Sequence, residues 1–114
     1  MDAILTQRTP QAGFLGITLE VRPVLVTVPA NADRKFNGSV VNYVTPGSPA
    51  EKAGIQVGDV IILFNAKTIA EPFQLMREIR RVRAGETNEF DIIRGDRRMT
   101  IKVTFGPRPK GGGI

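Results

Sequence analysis

Few side chains in this chain could carry covalent chemistry. Its 114 residues contain no cysteine and no histidine, and the only serines are Ser39 and Ser48. Without an imidazole or a thiol, neither a Ser-His-Asp relay nor a Cys-His pair can be assembled. The same absence removes disulfides, thiolate metal sites and the commonest metal ligand, so no metal site and no cofactor are expected. A serine-lysine pair is the one formal route left. Ser48, however, stands in Ser48-Pro49-Ala50-Glu51, where a serine before proline and three residues before glutamate reads as the cap of a short helix. That local role accounts for Ser48 without nucleophilic chemistry, and the chain by itself is read as having no catalytic residues.

Charge points to binding classes. The net charge is +5 and the pI about 10.2, with the excess in Arg77, Arg80, Arg81 and Arg83 and again in Arg94, Arg97 and Arg98. A nucleic-acid surface would add aromatic stacking platforms, but the chain has one tyrosine and no tryptophan. The arginines are therefore read as solvated basic faces, with no nucleic-acid partner. A hydrophobic fraction of 41% with 24% charged residues is ordinary for a globular protein. No apolar run approaches the roughly 18 residues of a membrane span, and Met1-Asp2-Ala3 lacks the basic start of a signal peptide. No membrane insertion is expected, and without cysteines the compartment cannot be read.

The elements follow from pattern and punctuation. Residues 1–12 are polar and aperiodic, a flexible leader. Alternation from Leu15 through Ile17 and Leu19 to Val21 predicts a strand, and Val24–Val28 a second. The Pro29–Asp33 stretch reads as a loop, and Gly38–Val44 as a third strand stopped by Thr45-Pro46-Gly47. The short helix after Ser48 ends at Gly54. Val60–Phe64 is near-continuously apolar, as in a buried strand. A second helix starts at Glu71-Pro72, carries Phe73, Leu75, Met76, Ile79 and Val82 at spacings of three and four, and is closed by Gly85. Thr87–Ile93 and Met99–Phe105 form a hairpin around Arg94-Gly95-Asp96-Arg97, and residues 106–114 are a flexible Gly/Pro-rich tail. The expected fold is α+β, mainly β: a partly open barrel or sandwich of five to seven strands closed by two helices, with one domain at 13–105.

Residues 41–61, Val-Asn-Tyr-Val-Thr-Pro-Gly-Ser-Pro-Ala-Glu-Lys-Ala-Gly-Ile-Gln-Val-Gly-Asp-Val-Ile, resemble the central signature of a bacterial-type PDZ domain. Phe14-Leu15-Gly16-Ile17 is similar to that family's carboxylate-binding loop, and Gly85-Glu86-Thr87 with Asp91–Gly95 to its final strands. The order of elements is similar to the PDZ domains of HtrA-type serine proteases and related envelope proteases. The resemblance implies a module that captures the extended C-terminus of another polypeptide by strand addition. In that reading it recognises substrate for, or regulates, a protease domain in the same parent chain, with a periplasmic or cell-envelope location.

By the same resemblance, Leu15, Gly16 and Ile17 supply backbone donors to the peptide carboxylate. Leu15, Ile17, Leu19, Met76 and Ile79 line the side-chain pocket and groove, Leu75 is core, and the peptide backbone pairs with residues 17–21. Arg80, one turn beyond Met76, would reach acidic residues upstream of the peptide terminus. Pro72 stands where many relatives place a reader of a ligand hydroxyl, which favours purely apolar recognition. Ala66 stands in a turn position usually held by glycine. Residues 20–37 would either lengthen the sheet edge or fold over the groove. The alternative function is a scaffold or self-assembly domain, in which the Gly111-Gly112-Gly113-Ile114 tail of one copy, with Ile114 as its apolar end, fills a neighbour's groove.

Overall fold

The computed structural model describes residues 13–28, 31–69 and 71–107. The proposed leader, most of the proposed tail and Ile114 lie outside the described residues. The chain forms β1 (Gly13–Phe14), β2 (Ile17–Leu19), β3 (Val24–Val28), β4 (Asn31–Val44), α1 (Pro49–Ala53), β5 (Val60–Phe64), β6 (Lys67–Thr68), α2 (Pro72–Arg80), β7 (Thr87–Arg94), β8 (Arg97–Thr104) and β9 (Gly106–Pro107). It is mainly β with two helices among the described residues, as expected. The main sheet runs β2-β4-β5-β7-β8, with β3 pairing β4 and β6 pairing β5, and it stays open rather than closing into a barrel. β1 and β9 form a separate two-stranded ribbon, so Gly106 and Pro107, read from sequence as tail, are paired with Phe14 and Gly13.

One cluster holds the main core. Ile61 and Phe64 of β5, Phe90 and Ile92 of β7, Ile101 and Val103 of β8 and Phe105 pack with Leu75, Ile79 and Val82. Three rings stitch it: Phe64 meets Phe90 edge-on at 5.1 Å, and Phe90 stacks on Phe105 at 6.3 Å. The apolar run of β5 is explained by its two faces. Ile62 points away from the main core and joins Ile93 in a second cluster against which Val26, Val60 and Leu63 pack.

Local signals behaved as their chemistry dictates. Ser48 Oγ accepts the Glu51 N–H at 3.2 Å, while Glu51 reaches back to the Gly47 N–H at 2.6 Å, and Gly54 closes α1 at φ +101°. α2 begins at Pro72 as read but ends at Arg80, short of Gly85. Gly13 N–H takes the Val82 carbonyl at 2.7 Å and the Phe105 carbonyl takes Gly85 N–H at 2.7 Å, drawing the chain off the helical path. Of the stretch read as a loop from Pro29 to Asp33, Pro29 and Ala30 lie outside the described residues, and Asn31 to Asp33 are strand instead. β4 starts at Asn31, and β3 pairs with it from Val24↔Gly38 to Val28↔Asn31. The 20–37 segment therefore lengthens the sheet edge.

Two features outside the core constrain the fold. Asp59, 2% exposed, takes Arg94 in a two-pronged contact (Nε–Oδ1 2.8 Å, Nη2–Oδ2 2.7 Å) and also accepts Gln56 N–H, while Arg94 Nη2 donates to the Gly54 carbonyl at 2.7 Å. This hydrogen bond and charge raise the Arg94 pKa above its usual value, against the opposing effect of burial. A raised folded-state pKa means that its contribution is complete below the ordinary guanidinium range and is lost only as pH rises through the raised value. The β5–β6 turn has positive φ at both central residues, 51° at Asn65 and 66° at Ala66, as a two-residue hairpin turn of the primed type requires. Asn65 is held by Glu89 N–H and by Asn88 Oδ1, but Ala66 bears the left-handed penalty alone.

Ala66→Gly is expected to stabilise the domain by about 1 kcal/mol in urea titration, and an unchanged midpoint would contradict the strain assigned to Ala66. Arg94→Ala, which leaves the buried Asp59 carboxylate without its cation, should cost about 3 kcal/mol. The same titration, with Arg94→Ala at wild-type stability, would refute a structural role for the pair.

Candidate functional site

The entrance to β2 is shaped by one glycine. Gly16 has φ +93°, and a Cβ at this position would overlap the Ser48 side chain. Only glycine combines that backbone with that approach. The loop is pinned from the corner between β4 and α1: Ala50 N–H donates to the Leu15 carbonyl at 2.9 Å and Thr45 N–H to the Gly16 carbonyl at 2.8 Å.

Those two bonds orient the donors. Across a planar trans peptide the carbonyl and the following N–H point in opposite directions. With the Leu15 carbonyl turned to Ala50, the Gly16 N–H points away from α1. With the Gly16 carbonyl turned to Thr45, the Ile17 N–H points away from β4. The ladder agrees. Ile17↔Val44 and Leu19↔Val41 are partners flanked by the bonds Thr45 N–H to Gly16 O and Glu20 N–H to Val40 O. They are thus non-hydrogen-bonded pairs, whose own N–H and C=O groups face outward. β2 ends the strand order of its sheet, so these groups lie on a free edge among the described strands.

α2 forms the second wall. Pro72, Leu75 and Ile79 face the core, and Glu78 reaches Lys67 of β6 at 3.7 Å. At 100° per residue the opposite flank carries Met76, Arg80 and Phe73. That flank lies away from the Glu78–Lys67 contact, and the helix shares its core cluster with Ile17 and Leu19 of β2. Met76 is half-buried there, while Arg80 and Phe73 are exposed, with the Arg77 guanidinium 4.9 Å from the Phe73 ring centre. The result is a free strand edge, with two outward N–H groups at its start, and a helix that packs on the same core cluster.

The family model of the PDZ domain matches residues 13–105. This chain belongs to the PDZ family. It is 33% identical over 110 residues to the serine endoprotease DegS of Salmonella typhimurium, covering 96% of this chain and 31% of that protein. It is 30% identical over 110 residues to a probable periplasmic serine endoprotease, DegP-like, of Rhizobium meliloti, covering 96% of this chain and 21% of that protein. The PDZ domain therefore spans between a fifth and a third of the length of these relatives. Among solved structures, the serine endoprotease from Yersinia pestis matches with TM-score 0.69 at 24% identity over 94% of this chain and 33% of its own. The HtrA-type protease AlgW with decapeptide matches with TM-score 0.71 at 23% identity over 95% of this chain and 33% of its own. At those identities the likeness is one of fold.

Of the sequence-nominated residues of this PDZ domain, Leu15, Ile17, Leu19 and Ile79 share one core cluster and Met76 packs against it. Leu15 and Ile79 are fully buried, and Ile17 and Leu19 are nearly so; all four share the main cluster with Leu75. Leu75 is core, as read. Ile17, nominated for the groove, is buried in this cluster like Leu15, Leu19 and Ile79, and its backbone N–H and C=O are turned to the free edge. Met76 touches the same cluster from the helix flank. Arg80 is exposed at the last residue of α2, two residues before Val82, whose carbonyl accepts the Gly13 N–H. Sequence reasoning missed Thr45, Ala50 and the packing side of Ser48. All three lie within the matched signature, but their carbonyl partners are about thirty residues away and no local pattern announces them.

Gly16→Ala forces a side chain into both the positive φ and the Ser48 contact, and should cost about 2 kcal/mol. Adding Ser48→Gly removes the overlap but not the backbone penalty, so the double variant should recover part of the loss. A Gly16→Ala domain as stable as wild type in thermal melts would refute this account of the loop.

Proposed function

We propose that this PDZ domain captures the free C-terminus of another polypeptide as an added strand on the β2 edge, opposite α2. The single observation that carries the reading is the pair of outward N–H groups at Gly16 and Ile17, held by bonds from Ala50 and Thr45 to the carbonyls behind them. Successive backbone donors converging on one point suit an anionic terminus. Leu15, at the head of the same loop, is assigned with them to the carboxylate, and Arg80 to acidic residues upstream of it. The ligand backbone would bond the outward groups of Ile17 and Leu19. Its last side chain would lie against Met76, above the edges of Leu15, Ile17 and Ile79. Pro72 offers no side-chain donor, so recognition there is apolar.

A structural neighbour described with a decapeptide supports ligand entry of this kind. The relatives' names support the wider proposal that the domain serves a larger serine protease of the periplasm or envelope, recognising substrate or regulating activity. The proposed module supplies no catalytic group. Ser48 Oγ is engaged as a helix cap, and the buried Ser39 has neither an imidazole nor a thiol available as a partner.

The test compares labelled apolar peptides bearing a free carboxylate with their C-terminal amides. The acid should bind with amide shift changes at Leu15, Gly16, Ile17 and Met76, and amidation should weaken binding at least about tenfold, the loss of charge-assisted hydrogen bonds. Equal binding of acid and amide would overturn end capture.

A further inference from the structure

The corner that pins the Leu15 and Gly16 carbonyls is itself held from β7. Ala50 donates its N–H to the Leu15 carbonyl at 2.9 Å, and its own carbonyl accepts Gly54 N–H at 3.1 Å and Ile55 N–H at 3.0 Å. The Gly54 carbonyl accepts Arg94 Nη2 at 2.7 Å. The same guanidinium grips Asp59 with both prongs, and Asp59 Oδ2 also accepts Gln56 N–H at 2.8 Å. The Asp59 backbone then reaches β4: Val41 N–H donates to the Asp59 carbonyl at 2.9 Å, and Gly58 N–H to the Val41 carbonyl at 2.8 Å. Val41 is the β4 residue opposite Leu19. One buried ion pair is thus joined by hydrogen bonds both to the helix behind Leu15 and to the strand behind β2.

The other ion pairs of β7 do something simpler. Asp91 with Arg98, and Glu89 with Lys102, join β7 to its ladder neighbour β8. Arg94 passes over its own ladder partner, Arg97, and commits its guanidinium to the cap of α1 and the turn into β5. α1 has five residues, too few internal bonds to hold a direction of its own. Its first turn bonds Leu15 and its cap is held by Arg94, about 6 Å away along the helix axis. A tilt of α1 at the cap is therefore felt at the Ala50–Leu15 bond. Turning the Leu15 carbonyl also turns the Gly16 N–H, because the two share one peptide plane.

We propose that Arg94, together with Asp59, is a positioning residue for the carboxylate site: by fixing the cap of α1 and the turn before β5, the pair sets the direction of the Gly16 and Ile17 N–H groups. The inference rests on end capture at β2. It assigns the preference for a charged chain end to a pair that touches no ligand. The effect is selective by its geometry. Hydrogen bonds weaken steeply as donor and acceptor fall out of line, and those to a carboxylate are the strongest at stake. The apolar contact of the last side chain has no such directionality. A small rotation of the loop therefore costs the acid form of a ligand more than its amide.

Fluorescence anisotropy with one labelled apolar peptide, Ala-Val-Ala-Leu, as free acid and as amide, tests this. Arg94→Ala alone would strand the buried Asp59 carboxylate, so both charges are removed together as Asp59→Asn with Arg94→Gln. Arg98→Gln is the control, since it breaks a pair of the same length within the β7–β8 ladder. In wild type and in Arg98→Gln the acid should outbind the amide at least about tenfold. In the double variant the ratio should fall to about two, through an about fivefold loss of acid affinity with the amide affinity held. Arg94→Lys keeps a cation for Asp59 but cannot fork to Gly54, and should give an intermediate ratio; it carries the test if the double variant does not fold. A wild-type ratio in these Arg94 variants would overturn the positioning role. So would an equal loss for acid and amide, or an equal fall in Arg98→Gln, each the mark of a merely loosened fold. If wild type itself binds acid and amide alike, end capture fails, and this inference with it.

Discussion

Two hydrogen bonds made by the corner after β4, from Ala50 N–H to the Leu15 carbonyl and from Thr45 N–H to the Gly16 carbonyl, orient everything that the free edge can offer. A peptide plane cannot turn its carbonyl inward without turning the next N–H outward. Pinning two successive carbonyls therefore presents two successive donors on the other side. The approach that makes these bonds reachable depends on the missing Cβ of Gly16, against which Ser48 packs. Ser48 thus serves two needs at once, capping α1 and defining how close the loop can come.

The corner is itself held in place by its surroundings. α1 ends at Gly54, whose carbonyl receives Arg94, and the same guanidinium grips Asp59 at the turn into β5. β7, through Arg94, is in this way tied to the helix that anchors the loop. Asp59 is almost fully buried, so its partner contributes mainly by preventing an unpaired charge from being stranded. The pair fixes the corner more than it adds net stability.

Basic residues are partly consumed by such structural work. Arg98 pairs with Asp91 at 2.8 Å, Arg94 with Asp59, and Arg77 lies on Phe73. A charge excess that looks in sequence like one positive field is distributed among strand-to-strand pairs and a helix flank. Arg80, Arg81 and Arg83 remain exposed around the end of α2.

The chain's own sequence determined what is local: the cap and turn chemistry of Ser48, Gly54 and Pro72, the alternation of β2, the apolar run of β5, the hairpin of β7 and β8, the three-four spacing that makes Leu75 and Ile79 core, and the exclusion of imidazole or thiol catalysis. The PDZ resemblance added the loop at Leu15, Gly16 and Ile17. What the residues alone could not decide depended on partners distant in the chain. α2 stops at Arg80 because Gly13 and Phe105 capture the backbone beyond it. The segment from Asn31 on becomes strand because β3 offers it a partner. Ile17 turns its side chain inward and its backbone outward because its register opposite Val44 sets both. Propensity and spacing act over a few residues, whereas strand register, free edges and the direction of a peptide plane are settled by which distant hydrogen-bond partner arrives, and only the tertiary structure supplies that.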